Sequence, residues 1–147
     1  MIVSALGRFT LDANTDNPFV VVDNILADHA DVKLVFLDFH AEGTSEKLAM
    51  GYFLDGRASA VWGTHTHVQT SDCTVLPGGT GYITDLGMTG PAHSVLGIDV
   101  EQSIGKFLGD PPRRYASGGG TCKMECALFE VDIETGKCVR AEALRIE

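Results

Sequence analysis

Three histidines carry the chemistry this sequence is equipped for. His40 closes the segment Asp38-Phe39-His40, and His65 and His67 stand in Gly63-Thr64-His65-Thr66-His67. Each segment follows an apolar run, Leu34-Val35-Phe36-Leu37 before the first and Ala58-Ser59-Ala60-Val61-Trp62 before the second. Short runs rich in Val, Phe and Trp read as buried strands, and open α/β sheets gather their ligands beyond the carboxyl ends of the strands. In extended backbone, residues i and i+2 point to one face. The spacing therefore turns His65 and His67 toward one small volume, and a neighbouring strand ending at His40 adds a third ring. A lone histidine at a strand end is more often a hydrogen-bonded structural residue. Three converging on strand ends point to a metal, because neutral imidazole is the commonest side-chain ligand. Zinc, manganese and iron suit such donors, and three histidines alone complete one zinc site with a water in the fourth place. Asp38 and Thr64 are placed to hold these rings from behind.

The elements that must position these rings follow from periodicity and punctuation. A strand is predicted over residues 2–6, ended by Gly7-Arg8, and a polar loop over 11–18. Asn17 reads as a helix N-cap with Pro18 at the first helical position. Phe19, Val22, Ile25 and Leu26 then repeat at helical spacing to about residue 28. A buried strand follows over 33–39. Thr44 is the expected N-cap of a second helix with Leu48, Met50, Phe53 and Leu54 on its apolar face, and Asp55-Gly56 ends it. The strand over 58–63 completes a strand–helix–strand unit, which implies a parallel pair joined by a right-handed crossover. Further on, Pro77-Gly78-Gly79-Thr80-Gly81 is a turn, 82–86 a strand, 87–91 a glycine-rich loop, and 100–108 a helix with Ile104, Phe107 and Leu108 apolar. Residues 121–132 and 137–146 read as a β-hairpin around Glu134-Thr135-Gly136. In its first strand Cys122, Met124, Cys126 and Leu128 alternate with other residues as one buried face. The fold class is α/β, with a mixed sheet, flanking helices and an antiparallel C-terminal part.

Composition bounds the rest. The 147 residues fit one domain, and an apolar fraction of 44% allows a real core. A formal net charge of -9 argues against an extended nucleic-acid partner, which needs clustered Lys and Arg. It leaves room for a small phosphate substrate, because divalent metals invert the local field. No stretch is long enough to span a membrane, and the opening residues lack the pattern of a secretory signal, so a cytoplasmic location is expected. The four cysteines, Cys73, Cys122, Cys126 and Cys138, lack a Cys-x-x-Cys pair and read as structural thiols.

Longer strings carry a resemblance. Asp38-Phe39-His40-Ala41-Glu42-Gly43-Thr44-Ser45-Glu46-Lys47, Asp55-Gly56-Arg57-Ala58-Ser59-Ala60-Val61, Gly63-Thr64-His65-Thr66-His67-Val68-Gln69-Thr70, Leu76-Pro77-Gly78-Gly79-Thr80 and Tyr82-Ile83-Thr84-Asp85-Leu86-Gly87-Met88-Thr89-Gly90-Pro91 resemble the YmdB-like family of bacterial metallophosphoesterases, within the calcineurin-like superfamily. The resemblance implies an αββα sandwich of two sheets flanked by helices, of which this chain matches the C-terminal half as a single domain over 1–147. It also implies a two-metal centre, commonly iron or manganese with zinc as the alternative, that hydrolyses phosphodiesters such as cyclic nucleotides. His40 and His65 resemble ligands of one metal, and His67 a ligand of the other.

The sequence departs from the family chiefly in length. The N-terminal half, which brings an Asp, a bridging Glu followed by Asn, and an Asn-His pair with the general-acid histidine, has no counterpart here. Gly43 stands where Ala is usual. Ala92-His93 stands where an aromatic is usual, and His93, like His29, reads as a surface residue. Two functional expectations follow: a metal-dependent phosphodiesterase domain with an incomplete centre, or a catalytically inactive half-fold that binds metal or acts as an interaction module. Either way, little turnover is expected from this chain alone. Association with a second copy or with a separate N-terminal half is expected to cover its bare sheet face.

Overall fold

A computed structural model describes residues 1–11 and 14–147; Asp12 and Ala13, within the loop expected over 11–18, lie outside the described residues. The first strand forms as expected, β1 at Ile2–Leu6. Helix α1, Pro18–Asp28, opens with the Asn17 side chain accepting the Phe19 N–H at 3.0 Å. Strand β2, Phe36–His40, starts later than the apolar run does. Helix α2, Thr44–Phe53, is capped by Gly43 and not by Thr44, which is already helical, and the cap makes no side-chain hydrogen bond. Glu46 in its first turn is occupied elsewhere: its carboxylate accepts the N–H groups of Arg8 and Phe9 and so ties down the chain leaving β1.

Strand β3, Ala60–Thr64, is followed by a two-residue strand, β4 at Thr74–Val75, that periodicity does not announce. Strand β5, Gly81–Ile83, stops short of the expected residue 86. Beyond it the chain bends, and the Asp72 carboxylate accepts both the N–H and the hydroxyl of Thr84. The glycine-rich segment forms strand β6, Thr89–Pro91. Helix α3, Val100–Leu108, precedes the hairpin strands β7, Cys122–Val131, and β8, Cys138–Ile146.

These strands make two sheets. The first has the order β1-β2-β3-β5-β4, parallel except for β4, and the second is an antiparallel β6-β7-β8. Helices α1 and α2 cover one face of the first sheet. Val22 of α1 and Met50 of α2 join Val3, Leu37, Phe39, Val61 and Tyr82 in the core. The second sheet lies on the opposite face, where Phe129 stacks on Trp62 with ring centroids 6.4 Å apart. Gly81 makes that contact possible, since a Cβ there would come within 2.5 Å of the Phe129 ring. The architecture is the expected mixed α/β one.

Two faces are the reverse of expectation. In β7 it is Glu125 that is buried, whereas Cys122, Met124 and Leu128 are exposed. Alternation gives the period of a strand but not which side meets the rest of the molecule, and here Phe129 and the Glu125 ion pairs select the other side. In α3, Ile104, Phe107 and Leu108 are exposed, and the helix rests on Ser103 and Gly105. In α2, Leu48 and Phe53 are likewise exposed, while Lys47 is buried beside Met50.

Candidate metal centre

The register of the parallel strands sets the site. Leu6 lies opposite His40, and His40 opposite Thr64, so β1, β2 and β3 end level and His65 follows one residue beyond. β3 can lie this close because residue 63 is glycine: a Cβ there would sit 1.8 Å from the Thr84 carbonyl oxygen. At His65 the chain leaves extended geometry, with φ of 112° there and 63° at His67. Left-handed backbone at residues other than glycine costs on the order of 1–3 kcal/mol each and collects at functional sites. The bend also undoes the argument that an extended backbone turns His65 and His67 to one side.

What holds the bend is a buried ion pair beneath it. Lys47 Nζ donates to Asp85 Oδ2 at 2.8 Å, with both side chains at most 1% exposed. The same Asp85 carboxylate accepts the N–H of Thr66, between the two histidines, and that of Gly87, each at 3.0 Å. Burial alone would raise the Asp85 carboxyl, but these donors, the Lys47 ammonium foremost, hold it below the usual aspartate range.

The structure brings His40 and His65 together and sets His67 apart from that contact. His40 Nε2 lies 3.0 Å from His65 Nδ1, the rings nearly perpendicular. Behind His40, Thr64 Oγ1 lies 3.0 Å from Nδ1 and donates its own proton to Asp38 Oδ1 at 3.3 Å. Behind His65, Glu42 Oε2 lies 2.9 Å from Nε2. His67 donates from Nδ1 to the Leu96 carbonyl at 3.2 Å, and its Nε2 makes no hydrogen bond among the described residues. Leu96 itself has a left-handed φ of 53°. Among the described residues, no group of three or more His, Cys, Asp or Glu side chains is arranged to hold a metal.

Donor counting shows what the pair can do. With Thr64 donating to Asp38, it must accept from His40 Nδ1, which leaves a lone pair on His40 Nε2. With the Glu42 carboxylate against Nε2, the His65 proton belongs there, which leaves a lone pair on Nδ1. Two lone pairs then face each other at 3.0 Å, an arrangement that a cation between them resolves. Neighbouring nitrogen ligands on one cation, with metal–nitrogen bonds of about 2.0–2.1 Å, have this spacing. The residues present therefore fit a divalent metal held by His40 and His65.

Several of these residues give no local signal in the sequence. Glu42 is one of many acidic residues, and Lys47 and Asp85 lie 38 positions apart. Beside His67 an open cleft of about 300 Å³ is lined by Met88, Leu96, Lys123, Glu125 and Arg145, among others. There Lys123 Nζ lies 2.6 Å from the buried Glu125, which also accepts the Met88 N–H. Burial would raise the Glu125 carboxyl, but these two donors hold it below the usual range. A larger cleft of about 410 Å³ against α3 contains none of the three histidines.

Fold and site together define a mixed α/β protein that gathers imidazoles at the carboxyl ends of adjacent parallel strands. The chain belongs to the YmdB-like protein family, whose model matches residues 1–144. It is 48% identical over 146 residues to a 2',3'-cyclic-nucleotide 2'-phosphodiesterase of Bacillus subtilis, covering 99% of this chain and 55% of that protein. Two solved structures superpose on 99% of the chain. A hypothetical protein from Thermus thermophilus is 41% identical, with a TM-score of 0.88 over 56% of its own length. A novel phosphatase from Mycoplasma pneumoniae is 39% identical, with a TM-score of 0.91 over 52%. The chain thus spans about half the length of the relatives it matches.

Proposed function

We propose that this chain supplies the histidine-bearing part of a metal-dependent phosphodiesterase centre of the calcineurin-like kind, acting on a small phosphodiester such as a cyclic nucleotide. The observation that carries the reading is the facing pair His40 Nε2 and His65 Nδ1, each set by a partner on its far nitrogen. The activity named for the Bacillus relative supports the substrate class. A divalent cation at this pair, iron or manganese by family resemblance and otherwise zinc, would supply Lewis-acid polarisation of a phosphoryl oxygen. His67, which lines the cleft, is the ligand proposed for a second cation. Asp38 and Thr64 orient His40, and the Lys47–Asp85 pair fixes the loop that carries His65 and His67. No helix among the described residues is long and apolar enough to cross a membrane, and a cytoplasmic setting is part of the proposal.

The alternative is a catalytically inactive module that binds one cation. What favours it is that no third ligating side chain joins His40 and His65 among the described residues. Hydrolysis of a 2',3'-cyclic nucleotide in the presence of Mn²⁺ separates the two. The chain alone should turn over far below the roughly 1–1,000 per second of ordinary enzymes. Mixed with the part of the Bacillus relative that it does not match, and shown to co-elute with it, it should acquire a metal-dependent rate that His65→Ala removes. A co-eluting mixture without activity would favour the inactive module. An ordinary rate from the chain alone, lost in His65→Ala, would show that the centre is already complete.

A further inference from the structure

Glu42 follows His40 by two residues, between β2 and α2, and its side chain is half-exposed. A carboxylate so placed can lie in water, yet its Oε2 rests 2.9 Å from His65 Nε2. We propose that Glu42 is a positioning residue for the divalent cation: it keeps the His65 proton on Nε2 and so leaves the Nδ1 lone pair facing His40.

A neutral imidazole has one N–H, and a carboxylate oxygen only accepts. With Glu42 in place, a lone pair on Nε2 would set two acceptors against each other, so the proton stays on that side. Remove the carboxylate and a second arrangement becomes better: the proton moves to Nδ1 and is donated across the 3.0 Å gap to His40 Nε2. That hydrogen bond would occupy both nitrogens that a metal needs. Glu42 thus blocks a self-satisfied histidine pair, much as Thr64 and Asp38 fix the tautomer of His40 from its far side. Carboxylates in this relation to a ligating histidine change metal affinity about 10–100-fold. The inference rests on the proposed metal reading of the pair, and its test separates the two.

The probe is Co²⁺, followed by visible absorption, with long-range proton–nitrogen spectra of the metal-free chain reporting which His65 nitrogen carries the proton. In the unmodified chain that nitrogen should be Nε2. In Glu42→Ala it should be Nδ1, and Co²⁺ affinity should fall about 10–100-fold. Glu42→Gln, whose side-chain carbonyl still accepts from Nε2–H, should restore the tautomer and most of the affinity. A Glu42→Ala chain with an unchanged backbone amide spectrum, an unmoved proton and unaltered Co²⁺ affinity would overturn the role of Glu42 alone. Failure of the unmodified chain to bind Co²⁺ would overturn the metal reading, and this role with it.

Discussion

At the scale of single residues, the two histidines of the pair are not equivalent in how they are held. His40 is backed by a hydroxyl that is itself backed by Asp38, while His65 is backed directly by a carboxylate. Thr64→Val removes the acceptor behind His40 while keeping the β-branched shape that suits a strand. It should weaken Mn²⁺ or Co²⁺ binding by about tenfold, the lower end for such partners, with the fold intact by circular dichroism; unchanged affinity would show that Thr64 does not orient the ring. That histidines gather at these strand ends was legible from Asp38-Phe39-His40 and Thr64-His65-Thr66-His67. The division into a facing pair and a separate His67 is what the family resemblance implies, and spacing alone gives the opposite. That division depends on positive φ at His65 and His67, and nothing in the residue types announces a bend where Thr-His-Thr-His could equally continue a strand.

At the scale of elements, the site stands on the join between α2, the end of β3 and the bend after β5. Lys47 and Asp85 make that join from opposite sides, both buried. Lys47→Met would leave the Asp85 carboxylate buried without its cation, a loss of about 3–5 kcal/mol, readable as a lower midpoint in urea unfolding. A loss below about 1 kcal/mol would place the pair among ordinary surface bridges. The pair also sets a pH dependence. The Asp85 carboxyl is held below its usual range in the folded chain, as are Asp72 by the Thr70 and Thr84 donors and Glu125 by Lys123, each against the opposing effect of burial. Folded values below unfolded ones mean stability that is present above the ordinary carboxyl range and lost on acidification. Urea midpoints should therefore hold from neutral pH down to about pH 4 and fall below it, and the fall should be smaller in Asp85→Asn. The elements themselves were largely legible. Asn17-Pro18 marks the start of α1, and the hairpin and the parallel β2–β3 pair stand where the patterns put them. The buried faces of β7 and α3 were not, because amphipathic spacing leaves open which side meets the neighbouring sheet.

At the scale of the whole molecule, the open surface is the face and edge of the first sheet at β1. β1 is its edge strand, Ile2 is 76% exposed and Leu6 41%, and an open strand edge invites another chain. The relatives are about twice as long as this chain, and we propose that in the working protein this face is covered by further chain or by a second copy. Light scattering across a dilution series should give a mass above 15.7 kDa that falls on dilution, and Ile2→Lys should shift it toward that value. A monodisperse 15.7 kDa particle at every concentration would refute self-association. The mixed α/β class with an antiparallel C-terminal part was legible from the alternation of apolar runs and helical spacing, and the division into two sheets is what the family resemblance implies. How the sheets meet was not legible, because it turns on contacts such as Phe129 on Trp62 between residues distant in sequence.

That His40 and His65 hold one divalent cation, at His40 Nε2 and His65 Nδ1, is the proposal on which the other readings of the site depend. Its most direct test is anomalous X-ray diffraction from crystals soaked in Mn²⁺, collected for the unmodified chain and for His40→Ala. An anomalous peak is expected within bonding distance of both nitrogens, absent in the variant. No peak at this pair, or one that persists in His40→Ala, would contradict the proposal.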